Sequence, residues 1–424
     1  MSATTGDHGA ARDRHDVLVI GAGLAGLACA QDLIAAGLTV GVAEASDAVG
    51  GRMRTDHRDG FLLDRGFQVF NTSYPQVRRR LNLRALRLRP FTPGFLLLRD
   101  GRLTEVADPT RRPRAAAALR PGRLAPARDL LALGALTTAD TLLPVKALRH
   151  RPDRTTRTAL AEAGVSDDTV DTLLRPFLSG VFLEDELVTS ARFFHLVWRS
   201  FVRGSLCLPD DGIGAVPRQL AGALPPGTVA LESPVRELTD TGALLADGTE
   251  RAARAVVVAT GPRAAADLLP GLTVPATRTV TTYYHAAATP PLAEPTLLVD
   301  AGHRFLNTCV LSRVAPGYAP EGRSLVSTSV LGPDRPGRED ELLGVLAEAY
   351  GTDTAPWQRI AAYTVDDALP AMPPPWPLSR TTRHTPGRYV CGDHRATGSV
   401  QGALASGARA AREILADLTG AVTG

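Results

Sequence analysis

The sequence predicts an α/β fold built around a nucleotide-binding β-α-β unit, and two observations carry that reading. Gly21-Ala22-Gly23-Leu24-Ala25-Gly26 stands between an apolar run, Asp16-Val17-Leu18-Val19-Ile20, and an apolar stretch that ends at Gly37. A second apolar run, Thr39-Val40-Gly41-Val42-Ala43, then closes on Glu44 and Ala45. Strand, glycine loop, helix, strand and acid, in that order, make a Rossmann-like unit for an ADP-containing dinucleotide. Gly21 permits the tight turn. Gly23 lets a pyrophosphate reach bare N–H groups where Leu24 and Ala25 open the helix, and Gly26 lets helix and strand pack closely. Glu44 stands where an acid accepts hydrogen bonds from a ribose.

The next segment narrows the dinucleotide. Gly50-Gly51-Arg52-Met53-Arg54-Thr55 follows at once. Its glycine pair permits a second close backbone approach at Gly51, and Arg52 can neutralise a diphosphate. Nicotinamide enzymes have no need of this element. With GAGLAG (21–26), EASDAVGGRMRT (44–55) and VCGDHRATGSVQGALASG (390–407), the chain resembles the flavin-dependent amine oxidase superfamily, which includes protoporphyrinogen oxidases and phytoene desaturases. The motifs lie at both ends of the chain. The resemblance implies tightly bound FAD, but it does not specify a substrate.

The remaining elements follow in chain order. Asp64-Arg65-Gly66-Phe67-Gln68-Val69 is the stretch that superfamily members place along the isoalloxazine ring. Gly66 would allow close approach, and Gln68 would face flavin N5 or the substrate; a buried turn explains the stretch equally well. Residues 71–204 combine a hairpin, Phe95 to Thr104, with helical stretches at Ala115–Ala118 and Leu130–Leu143, punctuated by Arg120-Pro121-Gly122 and Arg151-Pro152-Asp153. Between 205 and 272, the turns Thr241-Gly242 and Asp247-Gly248 mark hairpins, and Ala255-Val256-Val257-Val258 is a buried strand ending at Thr260. The resemblance places the backbone of Val235 against adenine and gives Thr260 a cofactor contact. Residues 273–382 alternate with period two at Thr279–Tyr284, Thr296–Val299 and Ser324–Val330, which predicts an antiparallel sheet; residues 339–350 form a helix. From Arg388 a strand runs into Gly392-Asp393, and a helix capped by Ser399 continues to about Leu418. The resemblance sets Asp393 on ribityl or phosphate groups, and Ser399, Val400 and Gln401 at the flavin edge.

The expected organisation is therefore a polar, disordered tail (1–14), a Rossmann-like FAD-binding domain (15–70, 205–272 and 383–424) and, interleaved with it, a mixed helical and antiparallel-sheet substrate domain (71–204 and 273–382).

Composition limits the function. A net charge of +3 over 424 residues gives no case for nucleic acid. No run approaches the length of a membrane span, and residues 1–14 lack an apolar core, so cytoplasmic residence is expected. Peripheral membrane contact stays open through Arg78, Arg79, Arg80, Arg84, Arg87 and Arg89, although a solvated helix face explains them better. Cys29, Cys207, Cys309 and Cys391 are scattered, with neither disulfide nor zinc spacing. Cys391 reads as a buried, inert thiol.

The chemistry follows from the cofactor that the resemblance implies. The expectation is dehydrogenation of a C–C or C–N bond in a mostly apolar organic molecule by hydride transfer to flavin N5, with O2 or an unidentified acceptor taking the electrons. Candidate substrate contacts are Gln68, Tyr283, Tyr284, His285 and His394. Amine oxidases of the superfamily commonly use a lysine on the substrate-domain sheet, and Lys146, the chain's sole lysine, lies in a helical region instead. An amine oxidase, and a redox-neutral isomerase of the carotenoid-isomerase type, remain the alternatives.

Overall fold

The computed structural model describes residues 15–107, 111–113 and 124–420. The expected tail (1–14), the helix at Ala115–Ala118 and the turn at Arg120-Pro121-Gly122 lie outside them.

Two compact units emerge. The described residues of the first fall within 1–51, 217–274 and 379–424, and those of the second within 52–216 and 275–378. The sequence reading groups 52–70 and 205–216 with the nucleotide domain, whereas the structure groups both with the second unit. The reason is hydrogen bonding. Hairpin strands Thr55–Arg58 and Phe61–Asp64 take N–H bonds from Ile213 and Gly214 onto Asp64 and Thr55. The hydroxyls of Tyr284 and Tyr318 donate to the Asp64 carbonyl and carboxylate at 2.7 and 2.8 Å.

The first unit holds an eight-stranded sheet. His15–Ile20 lies parallel between Val40–Ala43 and Glu250–Val258, and Arg388–Val390 extends the parallel run. Ile20 is level with Ala43 and Val258, and Val258 with Val390. Val17, Val19, Val256, Val257, Val258 and Val390 are all buried, as continuous β-branched runs in a sheet covered on both faces require. The antiparallel strands Val235–Leu238 and Gly242–Leu245 attach to Glu250–Val258 through the expected turns. Helices Leu24–Ala35 and Val400–Gly420 pack on one another. A Cβ at Gly407 would lie 2.1 Å from the Ala25 carbonyl oxygen of the first helix, and one at Gly402 would lie 1.8 Å from that of Thr397.

The second unit carries a seven-stranded sheet in the order Gln358–Pro370, Thr277–Ala287, Ser324–Leu331, Asn307–Val310, Leu297–Asp300, Phe95–Arg99, Arg102–Val106. Every pairing is antiparallel except Leu297–Asp300 with Phe95–Arg99. One face packs on helix Arg338–Tyr350 through Tyr283, Leu298, Val330, Leu342 and Leu346. Glu339, Asp340 and Glu341 occupy that helix's first turn, where its dipole favours acids. On the other face, Tyr284, Ala286 and Cys309 cluster with Phe61, Leu63, Phe67 and Val69. A helical layer, including Arg175–Phe182 and Ala191–Arg203, has its own core of Leu178, Phe182, Phe193 and Phe194. Helix Ala127–Leu142 fulfils the expectation for 130–143. The predicted α/β class and the mixed helical and antiparallel-sheet architecture are both borne out.

Candidate functional site

In the first unit, the parallel strands end together, and Gly21, Glu44, Ala259 and Cys391 each follow a strand's last paired residue. Open α/β sheets bind ligands outside these carboxyl ends. Gly21 adopts φ +103°, in the region that favours glycine, and a Cβ there would lie 3.0 Å from the Ala259 carbonyl oxygen. A Cβ on Gly26 would lie 2.0 Å from the Gly21 carbonyl oxygen, so no side chain fits. Gly23, by contrast, meets nothing within 4 Å. Its neighbours are closed off, while Gly23 itself faces open space at the N-terminus of Leu24–Ala35, where an anion gains from free N–H groups. Gly50 bridges to Gly23 and donates to the Ala22 carbonyl at 2.9 Å. Gly51 has φ +58°, and its absent Cβ would touch the Gly23 Cα at 3.6 Å. The two glycine elements read from sequence thus form one cradle.

Glu44 is buried, and its carboxylate is aimed by the backbone. Oε2 accepts the Ala22 N–H at 2.6 Å and Oε1 accepts the Ser46 N–H at 2.9 Å. Each oxygen keeps a second lone pair for a further donor. Ala45 is exposed beside it. Ser233 donates to the Glu44 carbonyl at 2.8 Å, which brings Val235 close to the same strand end. Thr260 follows the end of Glu250–Val258 and is half-buried. Leu24 and Ala25 are buried, as the first turn of a packed helix requires.

The C-terminal motif reaches the same sheet edge. Gly392 donates to Ser406 Oγ at 3.1 Å, and a Cβ at Gly392 would lie 2.5 Å from the His394 ring. Asp393 and His394 are both buried. Ser399 is the expected N-cap: its Oγ accepts the Gly402 N–H at 3.0 Å, so Val400 and Gln401 open the helix. Cys391 is fully buried, and burial pushes its thiol up to about 12, the inert behaviour expected of it.

In the second unit, Arg52 donates to the Ala368 carbonyl at 2.8 Å, and Gln68 Nε2 donates to the Arg52 carbonyl at 2.8 Å. Gln68 therefore props the arginine backbone. Gly66 has φ +87°, and the Phe67 N–H donates to Thr282 Oγ1 at 3.2 Å. Val69 packs in the same cluster as Phe67. Tyr284 lies on this face, its phenol held far above its usual range by burial. Tyr363 donates to Asp56 at 2.8 Å. Burial raises the Asp56 carboxyl, but hydrogen bonds from Arg65 and Tyr363 outweigh it and hold the group below its usual range.

Strand alternation separates two candidates from the rest. Tyr283 and His285 point to the opposite face, which Arg338–Tyr350 covers. Tyr283 donates to Asp334, and His285 Nε2 meets Glu339 Oε1 at 3.0 Å. Burial lowers the His285 pKa despite that acid. Both belong to the sheet–helix layer and stand away from Gly66–Val69. Lys146 is exposed on the short helix Val145–Arg149, off the sheet as anticipated. Arg87 and Arg89 pair with Asp210 and Asp211 rather than presenting free charge. Sequence reading missed Thr282, Ser329 and Asn307, buried polar residues sharing the face of Phe67. Among the described residues, no cluster of His, Cys, Asp and Glu could hold a metal ion, and no helix is long and apolar enough to cross a membrane.

Comparison with known proteins extends this picture. A family model described as flavin containing amine oxidoreductase matches residues 24–415. Putrescine oxidase of Kocuria rosea is 55% identical over 53 residues, 12% of this chain and 11% of that protein. Coproporphyrinogen III oxidase of Propionibacterium freudenreichii subsp. freudenreichii is 36% identical over 78 residues, 18% of this chain and 15% of that one. The chain thus spans only a small part of the curated relatives it matches. The solved cyclohexylamine oxidase of Brevibacterium oxydans IH-35A superposes with a TM-score of 0.69 at 19% identity, covering 96% of this chain and 99% of the other, a likeness of fold.

Proposed function

The chain belongs to the flavin containing amine oxidoreductase family, whose cofactor is FAD, and on that premise we propose that it dehydrogenates a C–C or C–N bond of a mostly apolar organic substrate. The observation that carries the reading is the cradle of Gly21, Gly23, Gly26 and Gly51 beside a backbone-aimed Glu44. These residues fit the ADP half of FAD, because an open backbone approach stands next to a buried ribose acceptor. When bound, the flavin supplies the hydride acceptor and electron store.

The placement of the chain's own residues supports a role for each. Glu44 holds ribose hydroxyls, and the N–H groups at Gly23–Gly26 hold pyrophosphate. The backbone of Val235 and the end of the 250–258 strand at Thr260 border the adenosine. Gly392 and Asp393 position the Ser399-Val400-Gln401 helix start, where the helix dipole and the Val400 N–H, which has no intrahelical acceptor, favour developing negative charge. Gly66–Val69 form a wall, with Gln68 fixing the Arg52 backbone. His394, packed over Gly392, has a positioning role. Tyr284 is tied to Asp64 and shapes the same wall. Four buried cysteines, none of them in a disulfide, suit a reducing, cytoplasmic setting.

The putrescine oxidase likeness favours the amine reading. The position of Lys146 weighs against a lysine-dependent form of it. Anaerobic bleaching of the flavin by amines, polyenes and porphyrinogens tests the proposal, with Lys146→Met as the companion variant. We expect one class to bleach the protein, and Lys146→Met to stay within about tenfold of wild type, under roughly 1.4 kcal/mol of barrier. Bleaching by no class removes the dehydrogenase reading; a loss of several orders of magnitude in the variant restores a lysine mechanism.

A further inference from the structure

On the sheet face shared with Phe67, the apolar surface is interrupted by a polar row. Thr282 pairs across the sheet with Ser329, and Ser329 with Asn307, so the three side chains stand abreast. They are 0%, 3% and 8% exposed. Two of them are satisfied: Thr282 and Ser329 share a hydrogen bond of 3.0 Å, and Thr282 also accepts the Phe67 N–H. Asn307 is not, because its Oδ1 is sealed from solvent and has no partner. The next residue, Thr308, points the other way and meets Tyr350 at 2.9 Å, which fixes the face that Asn307 occupies. Helix Arg175–Phe182 leaves room for the carboxamide at Gly180, where a Cβ would come within 3.1 Å of Asn307 Nδ2.

A buried carboxamide without a partner costs stability, and proteins retain one where a ligand or water completes it. Leucine or valine would pack the position better in the folded chain alone. Rotation about the last side-chain bond exchanges the two ends of the group, so either can be presented. We propose that Asn307 is a substrate-binding residue, and that the substrate carries an N–H or O–H donor that its carboxamide oxygen accepts. This rests on the dehydrogenase reading and sharpens it, because a pure hydrocarbon polyene could not satisfy the group.

The test compares wild type with Asn307→Leu and Asn307→Asp, all as FAD-loaded protein. Three readouts apply: the thermal midpoint, the absorption change of oxidised flavin on adding an N–H compound from the bleaching panel, and anaerobic bleaching. Asn307→Leu should keep its FAD and melt no lower than wild type, since it removes an unpaired polar group. Its kcat/KM for the N–H substrate should fall roughly tenfold, mainly through KM, the loss expected for one hydrogen bond. Asn307→Asp keeps the acceptor and should retain binding. The inference is overturned by unchanged binding in Asn307→Leu, by a lowered midpoint in that variant, or by loss of binding in Asn307→Asp. Wild type bleached only by a hydrocarbon polyene overturns it too, while leaving the dehydrogenase reading intact. Wild type bleached by nothing removes the reading itself.

Discussion

Glu44 shows how far one side chain can be read. Its place after an apolar run predicts a ribose acceptor. The structure adds that each carboxylate oxygen already holds one backbone N–H, from Ala22 and from Ser46. Glu44 therefore shapes the glycine loop in addition to its proposed role as a ribose acceptor. Glu44→Ala should lose FAD on dilution or gel filtration far faster than wild type. It should also lower stability by about 1–3 kcal/mol, the range for unpairing buried donors. Retention equal to wild type would remove Glu44 from the cofactor site. Asn307 is the counter-example. The run Asn307-Thr308-Cys309-Val310 has no motif, and its significance depends on Ser329 and Gly180, both distant in sequence. The face on which Tyr283 and His285 lie was hidden for a related reason. Period two was visible in the sequence, but which face would meet the hairpin and which the helix was not.

Among the secondary-structure elements, those with a continuous apolar run or a strict alternation were legible. Glu250–Val258, Thr277–Ala287 and Ser324–Leu331 fall where the pattern places them. The closing helix was legible at its start because Ser399 is a cap residue placed just after a glycine. Its glycines were not legible, since the close approach at Gly407 is to Ala25 of another helix, far away in sequence. Val400 occupies the first helical position, where its N–H has no intrahelical acceptor. Proline is tolerated there and removes that donor. If the proposed placement holds, Val400→Pro keeps the fold and FAD content but lowers the flavin reduction potential and slows bleaching, because a lost donor destabilises the more negative reduced form. A redox titration with an unchanged potential would show that this helix end does not face the flavin.

The division of the chain could not be read from motifs alone. Residues 52–70 sit next to the glycine cradle in sequence, yet Tyr284, Tyr318 and the 213–214 backbone bind them into the second unit. In the first unit the cradle is assembled from stretches far apart in the chain: 21–26, 44–51, 233–235, 258–260 and 391–401. A ligand that needs all of them binds the folded chain and not the unfolded one, so it stabilises by mass action, about 2.7 kcal/mol at one hundred times its dissociation constant. Protein stripped of flavin should therefore melt at a lower temperature and recover as FAD is titrated back, by roughly 3 °C at that concentration for a chain of this size. ADP should give part of the shift, because the cradle is built for the diphosphate and ribose. FMN, which lacks the adenosine, should give much less. Glu44→Ala should flatten the FAD response while keeping a cooperative transition of its own. An equal shift with FMN and FAD would mean that the cradle at Gly21–Gly26 does not carry the affinity, and a melting temperature indifferent to FAD would remove the cofactor assignment altogether.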